Sequence, residues 1–290
     1  VGIIEGICKM AIGNDIGFIL DESFDEKKLF GGSFGGIIAE LDDECEGVLV
    51  GYTGGRSIKL PSADISIEDV KKALTGTLEA IYPTKTSQQA REVPAYSCKI
   101  RPDASRIKVA VPQAVIPVFP GTNCEYDTIR AVERAGGKGR IVLIRNMSAQ
   151  ALEESANELI EALKSSQMLI IPGGFSGGDE PDGSGKFIQA FFRNPAVTEQ
   201  IHELLYNRDG LALGICNGFQ ALIKLGLLPF GRVTELDETC PTLTFNTIGR
   251  HQSIYSYTRV ASVKSPWLLK CNVGDVYNIP FSHGEGRFMA

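Results

Sequence analysis

Short apolar runs alternate regularly with helical patterns between residues 115 and 225, and this alternation limits the possible folds more than any other feature of the sequence. The apolar runs are 115–119, 141–144, 168–171 and 211–215. Short, wholly apolar strands separated by helices indicate a parallel sheet that is covered on both faces. The sequence therefore predicts an α/β fold with an open, mostly parallel sheet and helices on both faces.

The segments between these runs are predicted to be helices, at 125–135, 149–163, 186–193, 197–206 and 219–225. Apolar residues in one of them recur at helical spacing, which predicts one buried face: Val197, Ile201, Leu204 and Leu205. Beyond residue 241, β-branched and aromatic residues dominate. We expect antiparallel strands there, added to the same sheet, at 242–245, 253–260 and 276–281.

The first part of the chain has a different pattern. Residues 1–82 are rich in glycine, with predicted strands at 17–20, 36–41 and 47–52 and a predicted helix at 67–82. Residues 83–106 are polar and aperiodic, which is typical of a linker. We therefore predict a first domain over 1–82, a linker over 83–106 and a second domain over 107–290. Because the chain opens on Val1 rather than Met, we expect a piece of a longer protein.

Composition and charge disfavour several classes of protein. There are 29 Lys and Arg residues against 35 Asp and Glu residues, a net charge of −6 without a basic run, so nucleic acid is an unexpected partner. No apolar stretch reaches the roughly 18 residues that a membrane-spanning helix needs, and no secretory signal is recognisable. The seven cysteines form no CxxC pair, which argues against a disulfide framework and a structural zinc site. These features predict a cytoplasmic protein with reduced thiols.

The segment around Cys216 carries the clearest chemical signal. An apolar run, 211–215, leads into the pattern Gly-x-Cys-x-Gly and then directly into a predicted helix. This is a nucleophile elbow with cysteine in place of serine, in which Gly214 and Gly218 allow close packing of the backbone. A cysteine at a helix N-terminus is favoured as the thiolate, its reactive form. The alternative, an inert cysteine in a strand-to-helix turn, is the weaker interpretation here.

A second glycine turn follows the apolar run at 168–171. If parallel strands end on the same rim, this turn and the elbow can share one reaction centre. A thiolate that attacks an amide needs N–H donors directed at the developing oxyanion, and we predict those of Gly174 (or Phe175) and Asn217. By itself the turn is equally typical of a plain loop.

Four motifs appear in order along the chain: FPGTNCEYD at 119–127, PGGFSGGD at 172–179, GICNGFQ at 214–220 and HGEGRF at 283–288. Together they resemble the class I glutamine amidotransferase domain of the phosphoribosylformylglycinamidine synthase family. Residues 5–18 resemble the end of that family's ATP-binding portion, which is of the aminoimidazole-ribonucleotide-synthetase kind. The resemblance implies a glutamine amidotransferase-like fold, preceded by a partial α+β segment of this synthetase type.

The resemblance also implies a function in purine biosynthesis. The family is a ligase that uses ATP and glutamine nitrogen to convert formylglycinamide ribonucleotide to the amidine. Cys216 would attack the glutamine amide, release ammonia and leave a glutamyl thioester, and Gln220 would help to bind glutamine. No cofactor is implied for this chain, whereas ATP and Mg are expected for the full synthase. The implied partners are glutamine and the synthetase portion of the same enzyme.

The general base of this superfamily is a His in a His-x-Glu pair. His283 and Glu285 have that spacing, but HGEGRF resembles a separate family motif that precedes the catalytic pair. We therefore expect the catalytic His and Glu beyond Ala290, and the chain alone to be weak or inactive. His202 and His251 are predicted to be structural or solvated.

Two other functions remain open on the sequence. A cysteine hydrolase or peptidase would use the same elbow on another amide or ester, but would not need the synthetase-like first segment. A catalytically silent docking module would bind glutamine or a synthetase partner without turnover.

Overall fold

The computed structural model describes residues 2–43, 46–87, 95–105, 107–178 and 184–290. The chain divides into two compact units, Val1–Ser87 and Gln88–Ala290. Across the described ranges, no helix combines the length and the apolar character needed to cross a membrane. The predicted assignment of the first unit to a synthetase-type segment stays a prediction.

The first unit is a small mixed sheet packed against helix α1. Its elements are α1 (Ile3–Asn14), β1 (Phe18–Leu20), β2 (Gly51–Thr53), β3 (Ser57–Leu60), β4 (Ala63–Ser66) and α2 (Ile67–Gly76). The strand order is β2-β1-β3-β4, with only β1 and β3 parallel. Apolar residues from α1, β1 and β3 meet in one core, which includes Ile7, Phe18, Leu20 and Ile58.

Two predictions for this unit need correction, and one hairpin was missed. The predicted strand at 36–41 is absent, because strands need a pairing partner and this run has none. The hairpin of β3 and β4 was missed, since its strands are short and partly polar. Helix α2 ends at Gly76 rather than at 82. The hydroxyls of Thr75 and Thr77 bond back to the carbonyls of Lys71 and Ala73, an interaction that competes with helix propagation.

The second unit contains the predicted parallel sheet. Its strands are β5 (Gln113–Val118), β6 (Lys138–Leu143), β7 (Met168–Ile171) and β8 (Leu211–Gly214). They lie in the order β6-β5-β7-β8, all parallel. The chain therefore moves outward from β5 to β6 and then crosses to the other side of β5. This reversal opens a crevice between β5 and β7 at the carboxyl ends of the strands.

Helices cover both faces of this sheet, as predicted. They are α3 (Glu125–Arg134), α4 (Ala149–Ser165), α5 (Lys186–Phe192), α6 (Pro195–His202), α7 (Asn217–Leu225) and α8 (Leu227–Phe230). On one face, Val115 and Leu169 pack with α4 to α8 in the main core. On the other face, Ile116 and Ile170 pack with Val132 of α3. Successive residues of a strand point to opposite faces, so a wholly apolar strand packs apolar side chains against the helices on both faces of the sheet.

Local signals explain where several helices begin and end. The hydroxyl of Ser148 accepts the N–H of Ala151 at the start of α4. Asn194 caps α6 in the same way, and Pro195 occupies the first helical position, where its missing N–H costs nothing. Gly226 ends α7 in the left-handed conformation. The predicted helix at 197–206 continues beyond α6 as a short π-helix, Glu203–Asn207.

The antiparallel strands after residue 241 do not join the parallel sheet as predicted. They are β9 (Thr242–Phe245), β10 (Gln252–Arg259), β11 (Val276–His283) and β12 (Glu285–Met289). Within the described residues they form two separate two-stranded sheets, β10 with β11 and β9 with β12. Residue composition predicted the strands but could not predict their partners, since pairing is decided by contacts distant in sequence.

The predicted linker at 83–106 is partly attached to the second unit. Residues 88–94 and 106 lie outside the described residues. Cys98 forms a parallel bridge with Ser262. The Arg101 guanidinium donates to the carbonyl oxygens of Leu269 and Cys271. The 95–105 stretch is therefore anchored by contacts about 170 residues further along the chain, which local composition does not encode.

Candidate active site

Cys216 lies between the end of β8 and the first residue of α7, which is where an elbow was predicted. Its backbone has φ 50° and ψ −106°, a conformation that is strained for a residue with a side chain. The side chain is exposed. Such strain persists only when the surrounding structure enforces it, and here it holds the sulfur outward at the carboxyl end of the strand.

The two flanking glycines have the steric purpose that the sequence suggested. A Cβ atom on Gly214 would lie 2.5 Å from the carbonyl oxygen of Gly218. A Cβ atom on Gly218 would overlap the carbonyl oxygen of Ile171, the last residue of β7. Strand β8, helix α7 and strand β7 are thus packed backbone to backbone around the elbow.

The sulfur of Cys216 lies at the N-terminal end of α7, where unsatisfied N–H groups favour a negative charge. The thiol donates a hydrogen bond of 3.5 Å to the carbonyl oxygen of Ser282. Ser282 therefore lies beside the sulfur, and loss of the thiol proton releases this contact. The described cysteines are thiols rather than disulfides: Cys8, Cys98, Cys124, Cys216, Cys240 and Cys271.

The glycine turn after β7 lies directly against the elbow. A Cβ atom on Gly173 would be 3.2 Å from the Cβ of Cys216. The turn is also paired with the loop after β5. The N–H of Asn123 donates to the Gly173 carbonyl at 2.9 Å, and Thr122 forms a bridge with Gly174. Two of the predicted motifs, 119–127 and 172–179, are thereby joined, although Asp179 lies outside the described residues.

Backbone crowding explains the glycine at position 174. Gly174 has φ +125°, and a Cβ atom there would lie 2.6 Å from the amide nitrogen of Asn123. The N–H of Phe175 donates to the carbonyl of Gly121 at 2.8 Å. Within the described part of the chain, the N–H of Gly174 makes no such bond. This geometry favours Gly174 over Phe175 as an oxyanion donor. The Asn217 N–H, at the first helical position, stays a prediction.

The side chains of Asn217 and Gln220 connect the turn to the elbow. Asn217 is 1% exposed and its Oδ1 accepts the N–H of Ser176 at 3.2 Å. Its Nδ2 donates to Oε1 of Gln220 at 3.1 Å. Gln220 is 5% exposed and donates through Nε2 to the carbonyl of Glu285 at 2.7 Å. Both ends of the Gln220 amide are thus engaged, so the predicted contact with glutamine stays a prediction.

His283 and Glu285 have different partners. The Nδ1 atom of His283 lies 3.0 Å from Oδ1 of Asn246. The Glu285 carboxylate accepts the N–H of Ser184 at 3.1 Å and lies 3.6 Å from Nζ of Lys224. A side chain at Gly286 would overlap the ring of His283, which explains that glycine in the motif. That HGEGRF is distinct from the catalytic pair stays a prediction.

Sequence reasoning missed one residue beside the site, His251. Its Nε2 lies 2.9 Å from Oγ of Ser282, the residue whose carbonyl accepts the Cys216 thiol. Its ring centroid lies 6.5 Å from that of Phe175. No local pattern marks His251, because only the pairing of β10 with β11 brings it to this position. His202, by contrast, is structural as predicted, and its Nε2 accepts the Val233 N–H.

Within residues 2–43, 46–87, 95–105, 107–178 and 184–290, no group of three or more His, Cys, Asp or Glu side chains could hold a metal ion.

Comparison with known proteins gives a family match over the second unit. Residues 111–290 match a family described as the CobB/CobQ-like glutamine amidotransferase domain. The chain is similar to the phosphoribosylformylglycinamidine synthase subunit PurQ of Symbiobacterium thermophilum, with 34% identity over 60% of this chain and 62% of the relative. It is also similar to the same subunit of Pyrococcus furiosus, with 31% identity over 60% of this chain and 63% of that relative.

The chain therefore spans less than two thirds of the length of these relatives. A solved structure of PurLQS from Thermotoga maritima is 26% identical to it, with a TM-score of 0.46. That match covers 62% of this chain and 69% of the other.

Proposed function

Because this chain belongs to the CobB/CobQ-like glutamine amidotransferase family, we propose that it releases ammonia from the side-chain amide of glutamine, with Cys216 as the nucleophile. The observation that carries the proposal is the strained, exposed cysteine at the start of α7, held against the glycine turn at 173–175. In this proposal Cys216 reacts as the thiolate and nearby main-chain N–H groups act as donors, the two components that amide cleavage by a thiol requires.

The chemistry follows from this arrangement. The Cys216 thiolate attacks the carbonyl carbon of the glutamine side chain and forms a tetrahedral intermediate with a negatively charged oxygen. The N–H groups of Gly174 and Asn217 are the proposed donors to that oxygen. Collapse of the intermediate, with protonation of the amide nitrogen, breaks the C–N bond and releases ammonia. Water then hydrolyses the glutamyl thioester, which yields glutamate and restores the thiol.

The larger reaction is proposed from the relatives. They are subunits of phosphoribosylformylglycinamidine synthase, so the ammonia is proposed to serve the ATP-dependent conversion of formylglycinamide ribonucleotide to formylglycinamidine ribonucleotide. The partner is the synthetase portion, where ATP and Mg would act. Residues 1–82 are proposed to belong to that portion.

Covalent labelling tests the proposal. A chloroketone analogue of glutamine should alkylate Cys216, as located by peptide mass spectrometry, and excess glutamine should protect it. The matched control is Cys124→Ser, which removes another exposed thiol and should leave the labelling unchanged. Labelling spread over several cysteines, or labelling that glutamine does not prevent, would refute the proposal.

The hydrolase alternative is tested by turnover in the full-length protein. The proposal expects ammonia release from glutamine that Cys216→Ala abolishes. Cleavage of peptides or esters without any glutamine hydrolysis would favour the alternative instead.

A further inference from the structure

A buried ion pair connects three segments behind the nucleophile. Lys224 lies in the last turn of α7 and Glu285 begins β12, and their charged atoms are 3.6 Å apart. Their side chains are only 13% and 8% exposed. The Glu285 carboxylate also accepts the N–H of Ser184, whose carbonyl accepts Nζ of Lys224 at 2.5 Å. Ser184, two residues before α5, is thereby bonded to both partners.

A buried ion pair is poor evidence for a stabilising role. Removing two charges from water costs several kcal/mol per ion, and an apolar pair of similar volume is often equally stable or more stable. Stability alone therefore does not explain Lys224 and Glu285. Their connections to the rest of the site point to a different role.

Hydrogen bonds continue from this pair to the reaction centre. The main-chain carbonyl of Glu285 accepts Nε2 of Gln220, and Oε1 of Gln220 accepts Nδ2 of Asn217. Oδ1 of Asn217 accepts the N–H of Ser176, next to the glycine turn. The chain of contacts thus runs from β12 through α7 to the turn that carries the proposed donor Gly174.

We infer that Lys224 and Glu285 are positioning residues for the Cys216 site, an inference that rests on the proposed function. By fixing the start of β12 against α7, they hold Gln220 and Asn217 in one orientation and set the separation between the elbow and the glycine turn. That separation decides whether a glutamine-shaped molecule fits beside the sulfur. It has little influence on the intrinsic reactivity of the thiol.

The experiment compares two reagents on the whole chain. For each variant, the rate of Cys216 alkylation by the chloroketone analogue is divided by the rate with iodoacetamide, which needs no binding pocket. Misplacement of about 1 Å costs up to about 100-fold in rate, so Glu285→Gln and Lys224→Met should lower this ratio by about 10- to 100-fold. The iodoacetamide rate itself should stay within about twofold. Lys224→Arg keeps the positive charge, so its ratio of the two rates should stay close to that of the wild type.

A matched control and a double variant separate positioning from stability. Lys164 and Glu161 form an exposed ion pair far along α4, and Lys164→Met or Glu161→Gln should leave the ratio unchanged. The double variant Lys224→Met with Glu285→Leu removes both buried charges, so it should fold. Its ratio of the chloroketone rate to the iodoacetamide rate should still fall below that of the wild type.

Two outcomes distinguish the inference from the function on which it rests. If the wild-type chain shows no glutamine-protected labelling, the proposed function fails. If the wild type is selective and the Lys224 and Glu285 variants keep its ratio within twofold, only the positioning role is overturned.

Discussion

The space that a side chain would need at Gly218 is filled by the carbonyl oxygen of Ile171. The second residue of α7 therefore touches the end of β7 directly, backbone against backbone. This contact fixes the position of Cys216 relative to the carboxyl end of β7, because any shift of the elbow away from the sheet would separate α7 from that strand.

Gly218→Ala should therefore both destabilise the fold and disturb the site. Overpacking against backbone costs about 1–3 kcal/mol, and α7 has to shift away from β7. We expect a lower midpoint in urea unfolding together with weaker labelling of Cys216 by the chloroketone. Gly284→Ala is the control, because a Cβ atom there meets nothing within 4 Å. Equal stability of the two variants would contradict this account.

The strain at Cys216 predicts an inverted order of stability between two substitutions. At an ordinary position, glycine is less stable than alanine by about 0.5–1 kcal/mol. With φ at 50°, Cys216→Gly should be at least as stable as Cys216→Ala in urea unfolding, and both should abolish labelling. Cys271, which does not have a positive φ, provides the reference pair and should show the ordinary order. The ordinary order at position 216 would argue against strain.

Arg208 is expected to contribute to stability through the end of α4. Its guanidinium donates to the carbonyls of Leu163, Lys164 and Ser166, at 2.6, 2.8 and 3.0 Å. Loss of hydrogen bonds from a charged group to carbonyl oxygens at the end of the helix should cost about 1–3 kcal/mol in Arg208→Ala. Arg130→Ala, which removes an exposed ion pair with Asp127, should cost less than about 1 kcal/mol. Similar losses in both variants would contradict the capping role.

Cys8 provides a prediction for pH. Partial burial in the core of the first unit raises the pKa of its thiol above the usual value. The folded chain therefore binds this proton more tightly than the unfolded chain. The corresponding stability is fully present below the unfolded pKa and is lost as pH rises through the folded one.

The measurement is alkylation of Cys8 by iodoacetamide, followed by peptide mass spectrometry between pH 7 and pH 10. The rate in the native chain should rise at higher pH than the rate for the same cysteine in urea. Superimposed pH profiles would show that burial does not affect this thiol.

Much of the second unit could be predicted because its signals are local. The apolar runs at 168–171 and 211–215 coincide closely with β7 and β8, and glycines mark the turns where backbones cross. The elbow was recognisable because Gly214 and Gly218 lie within two residues of Cys216. In the first unit the same reasoning was weaker, since strands such as β3 and β4 are partly polar and form no wholly apolar run.

The sequence by itself determined the parallel sheet, the helices that cover it and the elbow at Cys216, because periodicity and glycine sterics act between near neighbours. Only the tertiary structure decided that His251 reaches Ser282, that Gln220 bonds Glu285 rather than solvent, and that β9 to β12 pair among themselves. The first two contacts join residues that are 31 and 65 positions apart, and the β10–β11 pairs join residues 17 to 31 positions apart. They form only when the whole unit closes, so no short stretch of sequence encodes them.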